Sequence, residues 1–212
     1  MIWIEVLVEG PSDEPVVREV LQRKFNLVDR EHFRIHSHQG KGKLPGNPLS
    51  RPDQTRRGLL DQLPAKLRGF SKSLPNHGVV LVVVDTDKEL CTELLANLKA
   101  MSAALNINLK VLYRLAIEET ESWFIADHDA LKKAFPGKVK SQVLKGLAPD
   151  AIVGAWEMLS RCLGLDPEKE GRWLKSEWAK TIAPHLDLED PKSPSFKKLI
   201  DGVGRLIEQS KA

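Results

Sequence analysis

Six consecutive apolar residues, Val79 to Val84, run directly into Asp85, Thr86 and Asp87 in the stretch VVLVVVDTDKELC. A short run of this kind, rich in β-branched side chains and without a polar break, reads as a strand covered on both faces. A strand facing water on one side would alternate apolar with polar. The run therefore calls for the middle of a sheet with helices on either side, and it predicts a strand over 79–84.

The rest of the chain supplies partners of the same type. Residues 2–8, IWIEVLV, predict a first strand, and EGPSDEP predicts a tight turn into a helix over about 13–26, with Pro15 accommodated in its first turn. Short strands are expected near 33–37 and 109–115. Helices are expected over about 54–70, where Pro64 threatens a kink, over 88–104, and from about 119. Between them, HQGKGKLPGNPLSRPD is too rich in Gly and Pro for regular structure and reads as a loop. Four strands alternating with helices imply an α/β fold with a mainly parallel sheet, in which ligands sit beyond the carboxyl ends of the strands. From about residue 136 the pattern becomes purely helical. The expected organisation is thus an α/β domain over 1–135 and a helical extension over 136–212 packed on it.

Several classes are excluded early. No apolar stretch approaches the roughly twenty residues that cross a bilayer. The opening MIWIEVLVEG carries Glu5 and no basic leader, so it reads as strand and not as a signal peptide. Cys91 and Cys162 form neither a CxxC pair nor a zinc-type cluster, and a reducing cytoplasm is the expected location. The net charge of +3 is unevenly spread: residues 30–72 carry ten basic and three acidic groups, residues 73–131 four basic and nine acidic. An acidic pole beside basic segments fits a metal site flanked by a surface for polyanions, and it also fits chance segregation on a solvated surface.

The acidic pole is built from strand ends. Glu9 follows the first strand, Asp85 and Asp87 the third, Glu119 and Glu121 the fourth. Side chains at i and i+2 of extended chain point the same way, so Asp85 and Asp87 are expected to converge. Asp13, four residues after Glu9, is placed to join them. Converging carboxylates repel one another unless a cation lies between them, and Mg²⁺ or Mn²⁺ with oxygen ligands is the expected solution. By itself an acid pair after a strand also serves to cap the next helix.

VLVEGPSDE followed by VVLVVVDTDKE resembles the TOPRIM fold shared by topoisomerases, primases and OLD-type nucleases, over about residues 1–115. The resemblance implies a four-stranded sheet of order 2-1-3-4 sandwiched by helices. It also implies a metal-dependent phosphodiester chemistry in which Glu9 is a ligand or general acid/base and Asp85 and Asp87 bind metal. In the OLD-type members a second acid lies one helical turn after the Glu, where this chain has Asp13. Over nearly the whole length, LPAKLRGF, IEETESWFIAD and IAPHLDLEDPKSPSF are similar to a bacterial family of small TOPRIM-like proteins, many encoded beside an ATPase and some in phage-defence loci. That family's ELEAW reads Glu119-Thr120-Glu121-Ser122-Trp123 here, with both acids kept. The similarity implies a nuclease with nucleic acid as substrate and an ATPase as partner, Asp13, Glu119 and Glu121 completing one or two metal shells.

Other chemistries fit less well. The single tyrosine, Tyr113, lies within a predicted strand and is a poor topoisomerase nucleophile, and two distant cysteines cannot form a primase's zinc module. A non-catalytic interaction subunit remains as one alternative. A haloacid-dehalogenase-type phosphatase is another, although that class carries its DxD after the first strand. Lys41, Lys43, Arg56 and Arg57 are the candidate nucleic-acid contacts, and GKGKL is too short for a Walker loop. His36 and His38 share a strand face, and Trp123, Trp156, Trp173 and Trp178 read as core or interface.

Overall fold

The computed structural model describes residues 2–210, with all side chains in that range except those of residues 170–172. Four strands, β1 (Trp3–Val8), β2 (Phe33–Ser37), β3 (Gly78–Asp85) and β4 (Lys110–Ala116), form one all-parallel sheet of order β2-β1-β3-β4. As the apolar run requires, every residue of β3 is buried. Its alternate side chains serve two separate cores. Leu81 and Val83 join Ile4, Val6 and Val8 on one face, whereas Val80, Val82 and Val84 join Leu7 on the other. Burying a Val or Leu side chain of this kind is worth about 1.5–3 kcal/mol, so both faces of β3 help to hold the sheet between its helix layers.

The second face is covered by two amphipathic helices, α2 (Leu59–Ser73) through Leu59, Leu63 and Leu67, and α3 (Cys91–Leu105) through Leu94, Leu98 and Met101. Helix α2 starts at Leu59, five residues later than the sequence pattern implies, because Gly58 takes the extended N-cap conformation. It then runs on through Pro64 to Ser73. The first face is covered by α1 (Glu14–Glu19), which continues as a π-helical turn over Val20–Lys24, and by α4 (Glu121–Ala126) and α5 (His128–Ala134). Helices α6 (Ala155–Cys162), α7 (Lys175–Ile182) and α8 (Pro194–Gln209) complete it.

These last three helices share their core with the strands. Leu159, Ala179, Ile182, Leu199 and Val203 belong to the same buried cluster as Val6 and Leu81. Trp123 anchors the junction: it is buried, its ring stacks on Phe196 at 5.0 Å between centroids, and its indole N–H donates to Ser195 Oγ at 2.7 Å. Trp178 is also buried, while Trp173 is exposed. Among the described residues no helix is long and apolar enough to cross a membrane.

Candidate metal centre at the carboxyl rim of the sheet

The register of β1 on β3, with Leu7 opposite Val82, carries Glu9 to the end of β3. There Glu9 Oε1 accepts a hydrogen bond of 2.7 Å from the backbone N–H of Asp85. The Glu9 side chain is thereby tied to the backbone of a residue 76 positions further along the chain. Asp85 has the strand parity of Leu81 and Val83 and faces the α1 side. The same side holds Asp13, whose oxygens accept from Gly10 N–H at 2.9 Å and from the Thr120 hydroxyl at 2.8 Å. It also holds Glu121 at the start of α4, fully buried, with both carboxylate oxygens lacking a hydrogen-bond partner.

Burial governs the protonation of this cluster. It raises Glu9 to about 8, with the charges of Asp13 and Asp87 adding to the effect and the Asp85 N–H opposing it. It raises Asp85 well above the carboxylate range, reinforced by Asp13, Glu9 and Glu121. Asp13 is pushed up by burial against the pull of its two hydrogen bonds. Glu121 is pushed by burial to about 7, with Lys175 opposing and Glu119 and Asp13 reinforcing. The acids crowd one another, as the strand-end arithmetic requires.

One cation is built in, and sequence reasoning missed it. Lys175, the first residue of α7, reaches Glu119 Oε1 at 3.1 Å and Glu121 Oε1 at 3.2 Å. Burial works against its charge, but Glu121 and Glu119 more than compensate and hold its proton more tightly than usual. The lysine lies 56 residues beyond Glu119 in a helix with no motif around it, so nothing in the local sequence announces it. Thr120 and Glu118 were also unforeseen. Thr120 tethers Asp13, and Glu118 accepts from the N–H groups of Gly154 and Ala155, fixing the loop before α6.

Asp87 departs from the expected arrangement. The alternation that would align it with Asp85 stops where β3 stops. Asp87 adopts φ +47, a left-handed turn conformation, and its carboxylate lies in solvent at the rim. It pairs with Lys41 Nζ at 3.0 Å, and Lys41 also pairs with Glu89 at 2.7 Å and donates to Thr86 O. Lys41 is therefore anchored to the acidic rim and is not a free loop cation. Neither Asp85 nor Asp87 caps α3, whose N-cap is Leu90. Thr86, between them, accepts from Glu118 N–H at 2.7 Å and so ties the ends of β3 and β4 together.

Lys43, Arg56 and Arg57 lie apart from the cluster in the segment before α2. Lys43 and Arg56 border a cavity of about 130 Å³, and Arg56 pairs loosely with Asp53 at 3.7 Å. His36 Nε2 meets Glu5 Oε2, and His38 Nδ1 bonds Val8 O, so both rings are engaged within the fold. Tyr113 is buried with its hydroxyl on Ser102.

The donor set of Glu9, Asp13, Asp85 and Glu121 consists entirely of carboxylate oxygens, and Glu121 Oε1 meets only Lys175 while its Oε2 is buried without a partner. This chemistry fits a hard divalent cation. Among the described residues, no three His, Cys, Asp or Glu side chains already stand as a metal-holding group. The carboxylates are turned instead to Lys175, to Thr120 and to the Asp85 backbone. A family model described as a domain of unknown function (DUF4276) matches residues 8–204. No curated protein and no solved structure matches the chain.

Proposed function

The chain belongs to the DUF4276 family, and from the acid cluster at its sheet rim we propose that it is a divalent-metal-dependent nuclease of TOPRIM type, hydrolysing phosphodiester bonds. The observation that carries this reading is the Glu9–Asp85 contact, which brings strand-end acids from separate parts of the chain into one buried cluster. Mg²⁺ or Mn²⁺ would be held by Glu9, Asp13, Asp85 and Glu121, with Glu119 and Asp87 at the margin. When bound, the cation supplies a Lewis acid that activates water and offsets charge on phosphoryl oxygens.

The chain's own residues have distinct tasks in this scheme. Glu9 serves either as a ligand to the cation or as general acid or base beside it. Its Oε1 stays on the Asp85 N–H, which leaves Oε2 for that role. Lys175 holds Glu119 and Glu121 in place and keeps the site's net charge low enough for a phosphate to approach. Lys43, Arg56 and Arg57 furnish cations for a nucleic-acid backbone. The family resemblance adds an ATPase partner and a role in phage defence. Two free thiols, Cys91 exposed and Cys162 buried, suit a reducing cytoplasm.

A second reading, an interaction subunit without catalysis, draws support from the two lysines. Lys41 and Lys175 together occupy four of the rim's acids. Plasmid nicking in Mn²⁺ separates the two readings. The nuclease reading expects nicking by wild type and a rate at least about 100-fold lower for Asp85→Ala. No cutting by wild type, alone or with an ATPase partner, would overturn it in favour of the second.

A further inference from the structure

The outer edge of β4 is open, and the groove beside it is lined differently from the acidic rim. β4 ends the sheet, with β3 on one side and, among the described residues, no strand on the other. In a parallel strand, alternate residues direct their N–H and C=O to opposite neighbours. Ala116 O accepts from Thr86 N–H on the β3 side, so Tyr113 and Leu115 direct their main-chain groups outward. Tyr113 O is met there by its neighbour's guanidinium, Arg114 donating at 2.7 Å.

The groove has a volume of about 440 Å³ and lies between α3 and α8. Leu95, Leu115 and Ile117 supply an apolar floor, and Arg114, Lys198 and Arg205 supply three cations. Among the described residues, none of these three has a carboxylate within ion-pair distance (4.0 Å), and Arg114 Nε is buried without a hydrogen-bond partner. Burial and the charge of Arg205 weaken Arg114's hold on its proton, with Asp201 opposing. The one carboxylate in the lining, Asp150, is committed to Ser193 and Ser195. Gly202 of α8 sits directly on Arg114, where a Cβ would overlap the guanidinium, so the cation is held in place by packing. Lys198 and Arg205 are seven residues apart on α8 and share one face of the helix.

We propose that this groove binds an extended segment of a partner polypeptide that alternates acidic with apolar residues. Its main chain runs along the open edge of β4, its apolar side chains sit on Leu95 and Leu115, and its carboxylates meet Arg114, Lys198 and Arg205. Strand addition of this type takes its affinity from main-chain hydrogen bonds and its specificity from side-chain pockets. Three cations outside ion-pair distance of any described carboxylate, beside an aliphatic floor, select acids and apolar groups together. A nucleic-acid backbone would need the cations but would leave the floor unused.

The test is selection of a displayed library of twelve-residue peptides on the full chain, with the enriched peptides resynthesised with a fluorescent label. Peptides alternating Asp or Glu with Val, Ile or Leu should be enriched. Binding should fall at least tenfold when their acids become amides, and at least tenfold again on the Lys198→Glu/Arg205→Glu variant, whose exposed substitutions leave the core intact. Enriched peptides without acids, or equal binding to the variant, would overturn the proposal. So would a labelled twelve-nucleotide single strand that binds wild type and loses affinity on the variant while no peptide binds. Sedimentation of the chain alone covers the remaining occupant: a dimer that the variant dissociates would assign the groove to a second copy.

Discussion

Two lysines each hold two carboxylates at the same end of the sheet, and their surroundings set them apart. Lys175 comes from α7 to meet Glu119 and Glu121 at 3.1 and 3.2 Å, and the Glu121 side chain is 1% exposed. Lys41 comes from the loop after β2 to meet Asp87 and Glu89 at 3.0 and 2.7 Å, and both of those carboxylates are about half exposed. The number of contacts is the same and both lysine side chains are largely covered, but the outer carboxylates reach water and the inner ones hardly do. The inner acids therefore have two ways to be satisfied, by protonation or by a cation, and that makes the inner group the chemically responsive one. The outer group is already satisfied by solvent.

The largest effect expected from this contrast is at Lys175. Lys175→Met removes the ammonium but keeps much of the aliphatic stem, leaving Glu119 and Glu121 buried without a counter-ion. Breaking a buried pair on one side costs about 3–5 kcal/mol, and urea denaturation at pH 8 should show a loss of that order. The loss should shrink at pH 5, where the raised pKa values let the acids protonate. A loss below about 1 kcal/mol at pH 8 would place Lys175 in the same class as Lys41 and erase the distinction.

A smaller effect is expected from pH alone. Glu9 has a folded-state pKa of about 8 against an ordinary value of 4.5, so the folded chain binds its proton more tightly than the unfolded chain does. The stability from this group is complete below about pH 4.5, declines as the pH rises, and levels off above about pH 8. Glu121, raised to about 7, acts in the same direction. The thermal midpoint of metal-free protein should drop by about 5 °C or more between pH 5 and pH 8. Glu9→Gln should flatten that slope, and Mn²⁺ added at pH 8 should restore the midpoint of wild type but not of Asp85→Ala. A midpoint indifferent to pH over this interval would mean that the inner acids are solvated like the outer ones.

The smallest effect belongs to Lys41. Ion pairs to half-exposed carboxylates are worth about 1 kcal/mol or less, so Lys41→Ala should move the thermal midpoint by no more than about 3 °C. Its charge also favours the ionised form of Glu9, so the upper end of the Glu9-dependent pH slope should shift slightly upward in this variant. A destabilisation exceeding that of Lys175→Met would reverse the ranking of the two lysines.

Much of this arrangement was legible in the chain. The uninterrupted run Val79–Val84 pointed to a central strand, and strand–helix alternation pointed to parallel pairing, because parallel neighbours need a long crossover that a helix supplies. The convergence of Glu9 with Asp85 followed from the ends of two neighbouring strands. Two features were not legible for local reasons. The alternation rule applied to Asp87 only while the chain stayed extended, and one left-handed residue turned its carboxylate outward. Lys41 looked like a free cation in a glycine-rich loop, yet the loop folds back, with Gly40 N–H on Glu9 O, and delivers the lysine to the rim.

By itself the sequence determined what depends on neighbouring residues: where strands and helices form, which faces are apolar, and which acids stand at strand ends. Only the tertiary structure decided how the charges on those acids are balanced. Coulomb interactions and burial act through space, so a lysine in the first turn of α7 and an arginine pair spanning β4 and α8 enter the electrostatics of the sheet with no trace in the local pattern. Helix packing brought Lys175 to Glu121 and left Arg114, Lys198 and Arg205, among the described residues, outside ion-pair distance of any carboxylate. That distribution of matched and unmatched charge is where the proposed chemistry and the proposed docking groove both originate.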